Sequence, residues 1–196
     1  MPRWLYLWPL NFVIVGFVVF GAIFILMPKR SRDKTRKADP RSIIAIFIQA
    51  LAFAIAWMIG RKPLTPFLPI DWRAQYFVAA ITVLLVLASL LFVAAAVHML
   101  GKQWSLQARV LEHHELIRRG PYRIVRHPIY TGMFGMLISS SLVRGHWVGL
   151  VIASVVYYLG TMMRIRNEEK LLREQFGDEY DDYARQVPAF IPLRLQ

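Results

Sequence analysis

Cysteine is absent from the 196 residues, which excludes a disulfide scaffold, a Cys-ligated zinc or iron–sulfur site and a cysteine nucleophile. Charge is scarce as well: Asp, Glu, Lys and Arg make up 18% of the chain against 57% hydrophobic residues. Acidic residues are the scarcer sign, twelve against twenty-four Lys and Arg, for a formal charge of +12. On a soluble protein that excess would suggest nucleic acid. With this apolar content, and with the charges gathered into short clusters, it points to a membrane protein whose basic loops face one side, and nucleic acid is not an expected partner. The five histidines (His98, His113, His114, His127, His146) form no H-x-x-x-H or H-x-x-H-H set, so neither a di-iron site nor a converging zinc triad is expected.

Five runs free of Asp, Glu, Lys and Arg alternate with crowded polar segments: 4–27, 43–60, 74–100, 129–143 and 147–163. That alternation is how a polytopic helical protein reads, and it predicts an all-α integral membrane bundle of five transmembrane helices forming one domain over 1–196. The last two runs are separated by Arg144, Gly145 and His146 alone. At ~1.5 Å per residue they reach roughly 22 to 26 Å, short of a ~30 Å hydrocarbon core, so they are expected to form a tight hairpin whose ends sit in protein or thinned bilayer. The first run has no small-x-small cleavage site before Pro28 and is read as a retained span.

Lys and Arg sort by side. Seven lie in the first connection, six in residues 101–128 and six from Arg164 onward, against five (Arg3, Arg61, Lys62, Arg73, Arg144) in the alternate segments. This asymmetry predicts an N-terminus outside and a C-terminus in the cytoplasm. The first connection, rich in Lys and Arg with prolines at both ends, reads as a solvated loop near anionic lipid headgroups.

The remaining polar side chains concentrate in 101–128 and 164–196, both on the cytoplasmic side, and these are the expected catalytic segments around a cytoplasmic-side cofactor pocket. Gly120-Pro121 marks a turn, and Pro128 forces His127 toward an extended conformation before the fourth helix begins. Arg126, His127 and Tyr130 would then gather at a positive helix N-terminus, a place for an anionic group. Tyr122 and Tyr130 have a second reading as interfacial belt residues. Arg164 and Glu168, four apart, share a helix face and read either as a solvated ion pair or as functional groups at the membrane edge. The stretch F-G-D-E-Y-D-D-Y-A-R-Q-V-P predicts a short amphipathic helix with Phe176, Tyr180 and Tyr183 on one face, which either closes the pocket or docks on the surface.

The string G-P-Y-R-I-V-R-H-P-I-Y-T-G, then about thirty apolar residues, then R-x-R-N-E-E and F-G-D-E-Y-D-D-Y, resembles the isoprenylcysteine carboxyl methyltransferase family of membrane enzymes. The resemblance covers about Gln103 to Pro192. It implies S-adenosylmethionine as cofactor within a helical membrane fold, in keeping with the lack of a Gly-rich strand–turn–helix fingerprint. It also implies a lipid or lipidated acceptor from the bilayer, prenylcysteine-like, methylated on its carboxylate. Carried over by position, the cofactor contacts are Gln107, His114, Glu115, Leu116, Ile117, Tyr122, His127, Pro128, Ile129, Tyr130 and Glu168, and the substrate-side arginine is Arg164. Glu115 departs from the family pattern, standing where a small polar residue is common.

Such chemistry suits these residue types. Methyl transfer from a sulfonium is an in-line displacement that requires alignment and exclusion of water. A carboxylate nucleophile, titrating near ~3.5, is already ionised at neutral pH and requires no general base. A guanidinium can hold it in a fixed fork, the expected task of Arg164, with Arg126 second. Two other readings stay open: a membrane reductase using NADPH, and a methyltransferase acting on a phospholipid amine, for which His127 or Glu168 would have to serve as base.

Overall fold

Within an apolar run in lipid the backbone must satisfy its own hydrogen bonds, and helix does so inside one segment. The computed structural model describes residues 2–27, 35–38, 42–67, 72–105, 109–111 and 115–192. Its helices follow the apolar runs: α1 (Arg3–Leu26), α2 (Ser42–Met58), α3 (Gln75–Leu100), α4 (Pro128–Val143), α5 (Trp147–Phe176) and α6 (Asp178–Gln186), with 3-10 turns at Trp72–Ala74, Gly101–Gln103 and Gly120–Arg123. Three are long and apolar enough to cross a membrane, Arg3–Leu26, Gln75–Gln103 and Trp147–Phe176; α2 and α4 supply shorter apolar helices.

Two sequence expectations need correction. The bundle is helical as expected, but the first connection is not a plain loop throughout: β1 (Thr35–Ala38) pairs antiparallel with β2 (Arg109–Leu111). β1 belongs to the first connection, expected to be a plain loop; a ribbon this short is held by backbone pairing and leaves no periodic signature. The helix of the fifth run carries on past its apolar stretch to Phe176, in keeping with the helix face shared by Arg164 and Glu168, since nothing between Thr161 and Phe176 breaks a helix. It ends at Gly177, whose φ of +53° glycine adopts without a Cβ penalty. Phe176 therefore closes α5 while Tyr180 and Tyr183 sit on α6, so the three do not share one helix face.

α4 is the axis of the bundle. It touches α1, α2, α3 and α5, and none of its residues is exposed, whereas Val18, Phe47, Leu84 and Leu159 on the other four present large apolar side chains outward. A short central helix needs no full membrane thickness, because its ends are covered by protein. Close approach comes from small residues, as expected where lipid removes the hydrophobic drive between helices. A Cβ on Gly160 would lie 3.0 Å from the Ile48 side chain of α2, and one on Gly132 would lie 2.3 Å from Val93 of α3. On α2 the buried stripe Ala45, Gln49, Ala52 and Ala56 faces this contact.

Arg61, which the charge count treats as an orientation signal, covers the far end of α4. Its guanidinium donates to the carbonyls of Leu142 (3.0 Å), Val143 (2.9 Å) and Gly145 (3.2 Å), groups that a helix C-terminus otherwise leaves unpaired. Burial lowers its pKa to about 10. Arg61→Met is expected to lower unfolding stability by about 2–3 kcal/mol, the worth of hydrogen bonds to a charged donor. Lys62→Met, at an exposed neighbour, should change it by less than ~0.5 kcal/mol. Equal thermal midpoints for the two variants in detergent would refute the capping role.

Candidate active site

The entry to α4 is built by the Gly120–Arg123 turn and by His127 before Pro128, whose φ of -122° and ψ of 63° lie outside the helical region but short of the extended conformation expected from sequence. The chain after α6 folds back along it: Arg126 and His127 donate their backbone N–H groups to the carbonyls of Pro188 and Ala189, each at 2.9 Å. The Tyr183 hydroxyl donates to the Tyr122 carbonyl at 2.6 Å. Beside this junction the polar end of α5, beyond the apolar stretch that closes at Met163, brings up Arg164, Glu168 and Glu169.

The negative charges that meet the positive end of α4 are the chain's own. His127 lies between two carboxylates, with Nδ1 3.3 Å from Glu168 Oε2 and Nε2 3.3 Å from Glu169 Oε1. Carboxylate oxygens only accept, so the doubly protonated imidazolium satisfies both contacts. Burial works against that charge, but the bonds to Glu168 and Glu169 outweigh it and raise the His127 pKa. Glu168 also accepts from the Tyr130 hydroxyl and lies 3.6 Å from Arg164. Burial opposes its ionisation, and His127, Arg164 and Tyr130 together reverse the balance and lower its pKa. Glu169 is brought to about 2 in the same way, burial being overcome by His127 and Arg126. Arg164 lies over the Tyr130 ring at 5.0 Å, and His127 stacks on the same ring at 5.7 Å.

A cavity of about 770 Å³ opens beside this cluster, within the usual size for a small-molecule site. Among the residues singled out from sequence, Tyr122, Arg126, His127, Pro128, Ile129, Tyr130, Arg164 and Glu168 line it. Glu115, Leu116 and Ile117 do not; Glu115 is exposed, with its backbone N–H on Gln103 Oε1 at 2.6 Å. Gln107 and His114 lie outside the described residues. Arg126 has partners other than an acceptor: Nε and Nη2 donate to Glu169 (3.0 and 2.7 Å), and Nη1 to the carbonyls of Ala184 (2.9 Å) and Val187.

Sequence reasoning missed Glu169, although the doubled Glu was in view. It also missed the apolar half of the cavity, lined by Phe20 and Phe24 of α1, Phe53 of α2 and Trp104. Only contact across the bundle makes those aromatics a wall. Gln49 of α2 lines the cavity too, and its sequence signal was a lone amide in an apolar run.

A stability prediction follows from the His127 environment of Glu168, Glu169, Arg126 and Tyr130. A raised folded-state pKa contributes stability that is complete below about pH 6.5, the unfolded value, and is lost as pH rises through the folded value. The wild-type thermal midpoint should fall on going from pH 6 into the alkaline range, and His127→Gln should flatten that slope. Parallel profiles would contradict the pinned imidazolium.

A family model described as phospholipid methyltransferase matches residues 77–179. A relative from Oryza sativa subsp. indica, named probable protein-S-isoprenylcysteine O-methyltransferase, is 28% identical over 181 residues, 91% of this chain and 93% of its own. Protein-S-isoprenylcysteine O-methyltransferase of Schizosaccharomyces pombe is 38% identical over 80 residues, 41% of this chain and 34% of its own. Protein-S-isoprenylcysteine O-methyltransferase B of Arabidopsis thaliana is 32% identical over 88 residues, 45% of each chain. The aligned part thus spans about a third of the S. pombe relative, half of the Arabidopsis one and nearly all of the rice one.

Proposed function

Since the chain belongs to the phospholipid methyltransferase family, with isoprenylcysteine carboxyl methyltransferases among its relatives, we propose that it transfers a methyl group from S-adenosylmethionine to the carboxylate of a membrane-embedded prenylcysteine-like acceptor, giving the methyl ester. The observation that carries this reading is the charge arrangement at His127, Glu168 and Arg164. An amine acceptor is protonated near neutral pH and must lose a proton before it can attack. Neither candidate base suits that task. Both His127 nitrogens face carboxylates, and Glu168, its pKa lowered, binds a proton weakly. A carboxylate acceptor requires no base, only a cation to hold it.

The residues on the cavity wall fit the cofactor. S-adenosylmethionine would supply an electrophilic methyl on a cationic sulfonium, and the ionised, part-exposed Glu168 is a counter-charge suited to its cationic groups. Tyr122 and Trp104 offer aromatic surface for an adenine. Arg164, 6% exposed and opening on the same cavity, orients the acceptor carboxylate, while Phe20, Phe24 and Phe53 take its lipid chain and keep water out. We place this site on the cytoplasmic face, with five spans and the N-terminus outside, on the strength of the Lys/Arg asymmetry.

Binding separates this reading from an NADPH-dependent reductase. The solubilised protein should bind S-adenosylhomocysteine and not NADPH. Its methyl-transfer rate should be flat between pH 6 and 8, since the acceptor charge is fixed across that range. A rate rising tenfold per pH unit there would instead favour a phospholipid amine.

A further inference from the structure

The end of α4 away from the candidate active site gathers two guanidinium groups. The connections 59–61 and 144–146 run antiparallel there, joined by a bridge between Gly60 and Gly145. The Arg61 N–H donates to the Arg144 carbonyl at 3.2 Å and the His146 N–H to the Ile59 carbonyl at 2.9 Å. Arg144 lies across this bridge: its Nη1 donates to the Arg61 carbonyl at 3.4 Å, and a Cβ on Gly60 would fall 2.3 Å from the same nitrogen. Glycine at residue 60 is what lets the guanidinium lie there. Arg61 is 7% exposed, and its buried Nε has no hydrogen-bond partner among the described residues.

Two cations fixed side by side need compensation, and the chain supplies too little. The C-terminus of α4 carries the equivalent of about half a negative charge on the carbonyls that Arg61 already holds, so the second arginine leaves an excess of more than about one positive charge. Burial is the main cause of the lowered Arg61 pKa, and the Arg144 charge adds to it. Among the described residues no carboxylate meets Arg61 or Arg144, and Nε and Nη2 of Arg144 have no protein acceptor. The segments 1–3, 61–73 and 144–146 hold five Lys and Arg against a single acidic residue, Asp71, which lies outside the described residues.

Depth identifies the missing anion. α4 has 16 residues, about 24 Å of helix, so the pair stands less than one hydrocarbon thickness, ~30 Å, from the His127 junction. Trp4, Tyr76 and Trp147 are exposed on the first turns of α1, α3 and α5, at this same end, where a belt of aromatic side chains marks the headgroup level. A short span is accommodated by thinning of the bilayer and by flanking charges that reach the interface. Both bring lipid phosphates to these arginines, and a guanidinium grips phosphate through two parallel N–H bonds.

We infer that Arg144, oriented by Gly60 and the Arg61 carbonyl, binds the phosphate of a phospholipid headgroup in the leaflet opposite the candidate active site, with Arg61 supplying the second positive charge. The bound lipid holds the short α4–α5 hairpin at the membrane surface. This site is independent of which acceptor is methylated.

The test is a lipid titration of the full chain in detergent, read as the thermal midpoint. Dioleoyl phosphatidylglycerol should raise the wild-type midpoint. Dioleoylglycerol, with the same chains and no phosphate, should not, nor should inorganic phosphate at the same concentration. Basic segments at the opposite membrane face also attract anionic lipid, so the variants carry the assignment. Arg144→Met should need about tenfold more phosphatidylglycerol for the same rise. Lys62→Met, which removes an exposed charge beside the pair, should titrate as wild type, and both variants should bind S-adenosylhomocysteine as wild type does. Arg144→Lys keeps the charge at the helix end and loses the fork; it should show an intermediate loss, and it decides the matter where Arg144→Met does not fold. Equal effects of the two dioleoyl lipids, a rise with inorganic phosphate alone, or Arg144 variants that titrate like wild type would each overturn the lipid-phosphate assignment. So would an equal loss in Lys62→Met, the result expected of unspecific attraction to the charge of this loop.

Discussion

Arg164→Lys is expected to lower kcat/KM for a carboxylate acceptor by about 10- to 100-fold, the equivalent of the ~1.5–3 kcal/mol carried by hydrogen bonds to a charged group, while S-adenosylhomocysteine binds nearly as in wild type. Lysine keeps the charge and loses the planar fork and the stacking on Tyr130. Glu168→Gln should do the converse. It removes the carboxylate that faces the cavity from beneath Tyr130 and His127, so the cofactor's cationic groups lose their counter-charge and the dissociation constant for S-adenosylhomocysteine rises. An exposed i,i+4 pair would be worth only about 0.3–0.5 kcal/mol and would leave catalysis intact. Arg164 at 6% exposure and Glu168 at 24% are not such a pair. Steady-state kinetics and equilibrium binding on both variants separate the two roles. Near-normal kinetics in both, or a loss of cofactor affinity in Arg164→Lys larger than in Glu168→Gln, would remove the division of labour.

The parts of this molecule that were legible in the sequence are those governed by one segment at a time. Apolar runs marked α1 to α4 because each run's length and lack of charge determine its helix locally. Gly120-Pro121 and His127-Pro128 marked the entry to α4 because proline restricts its own backbone and its neighbour's. The fifth apolar run marks only the first part of α5, because hydropathy marks where lipid ends, whereas the helix ends only at Gly177. Partnerships across the bundle were not legible. Arg61 and Lys62 are adjacent and chemically alike, yet one caps a helix eighty residues away and the other is exposed. Arg126 and Arg164 both looked able to hold a carboxylate, and only the folded chain shows that Arg126 is turned toward Glu169 and the backbone at the end of α6. Gln49 was invisible for the same reason: a single amide acquires meaning from Thr161, which its Nε2 meets at 2.9 Å, on a helix that packs against it from far along the chain.

Glu169→Gln is expected to be the most destabilising single change at the junction of α4, α5 and α6, by about 3–5 kcal/mol, the range for breaking a buried ion pair on one side. Glu169 is 8% exposed and gathers three cationic side chains: Oε1 takes Arg126 and His127, and Oε2 takes Arg173 at 3.4 Å. With a pKa of about 2 it holds its charge across the working range, and its contribution is lost only as pH falls below about 4.5 toward that value. A glutamine keeps the volume but places an N–H₂ against one of these cations. The consequence reaches beyond stability, because the same Arg126 guanidinium holds the Ala184 and Val187 carbonyls. Loosening it releases α6 and the segment that lies against Arg126 and His127 at the cavity edge. Glu169→Gln should therefore accelerate hydrogen exchange across α6 and weaken S-adenosylhomocysteine binding, although Glu169 does not itself line the cavity. Arg126→Met should reproduce both effects, and the double variant should cost clearly less than the two single changes added together, since each alone strands the other's charge. Additive losses, or unchanged exchange in α6, would mean that Glu169 and Arg126 stabilise the chain independently and that α6 is held by Tyr180 and Tyr183 packing alone.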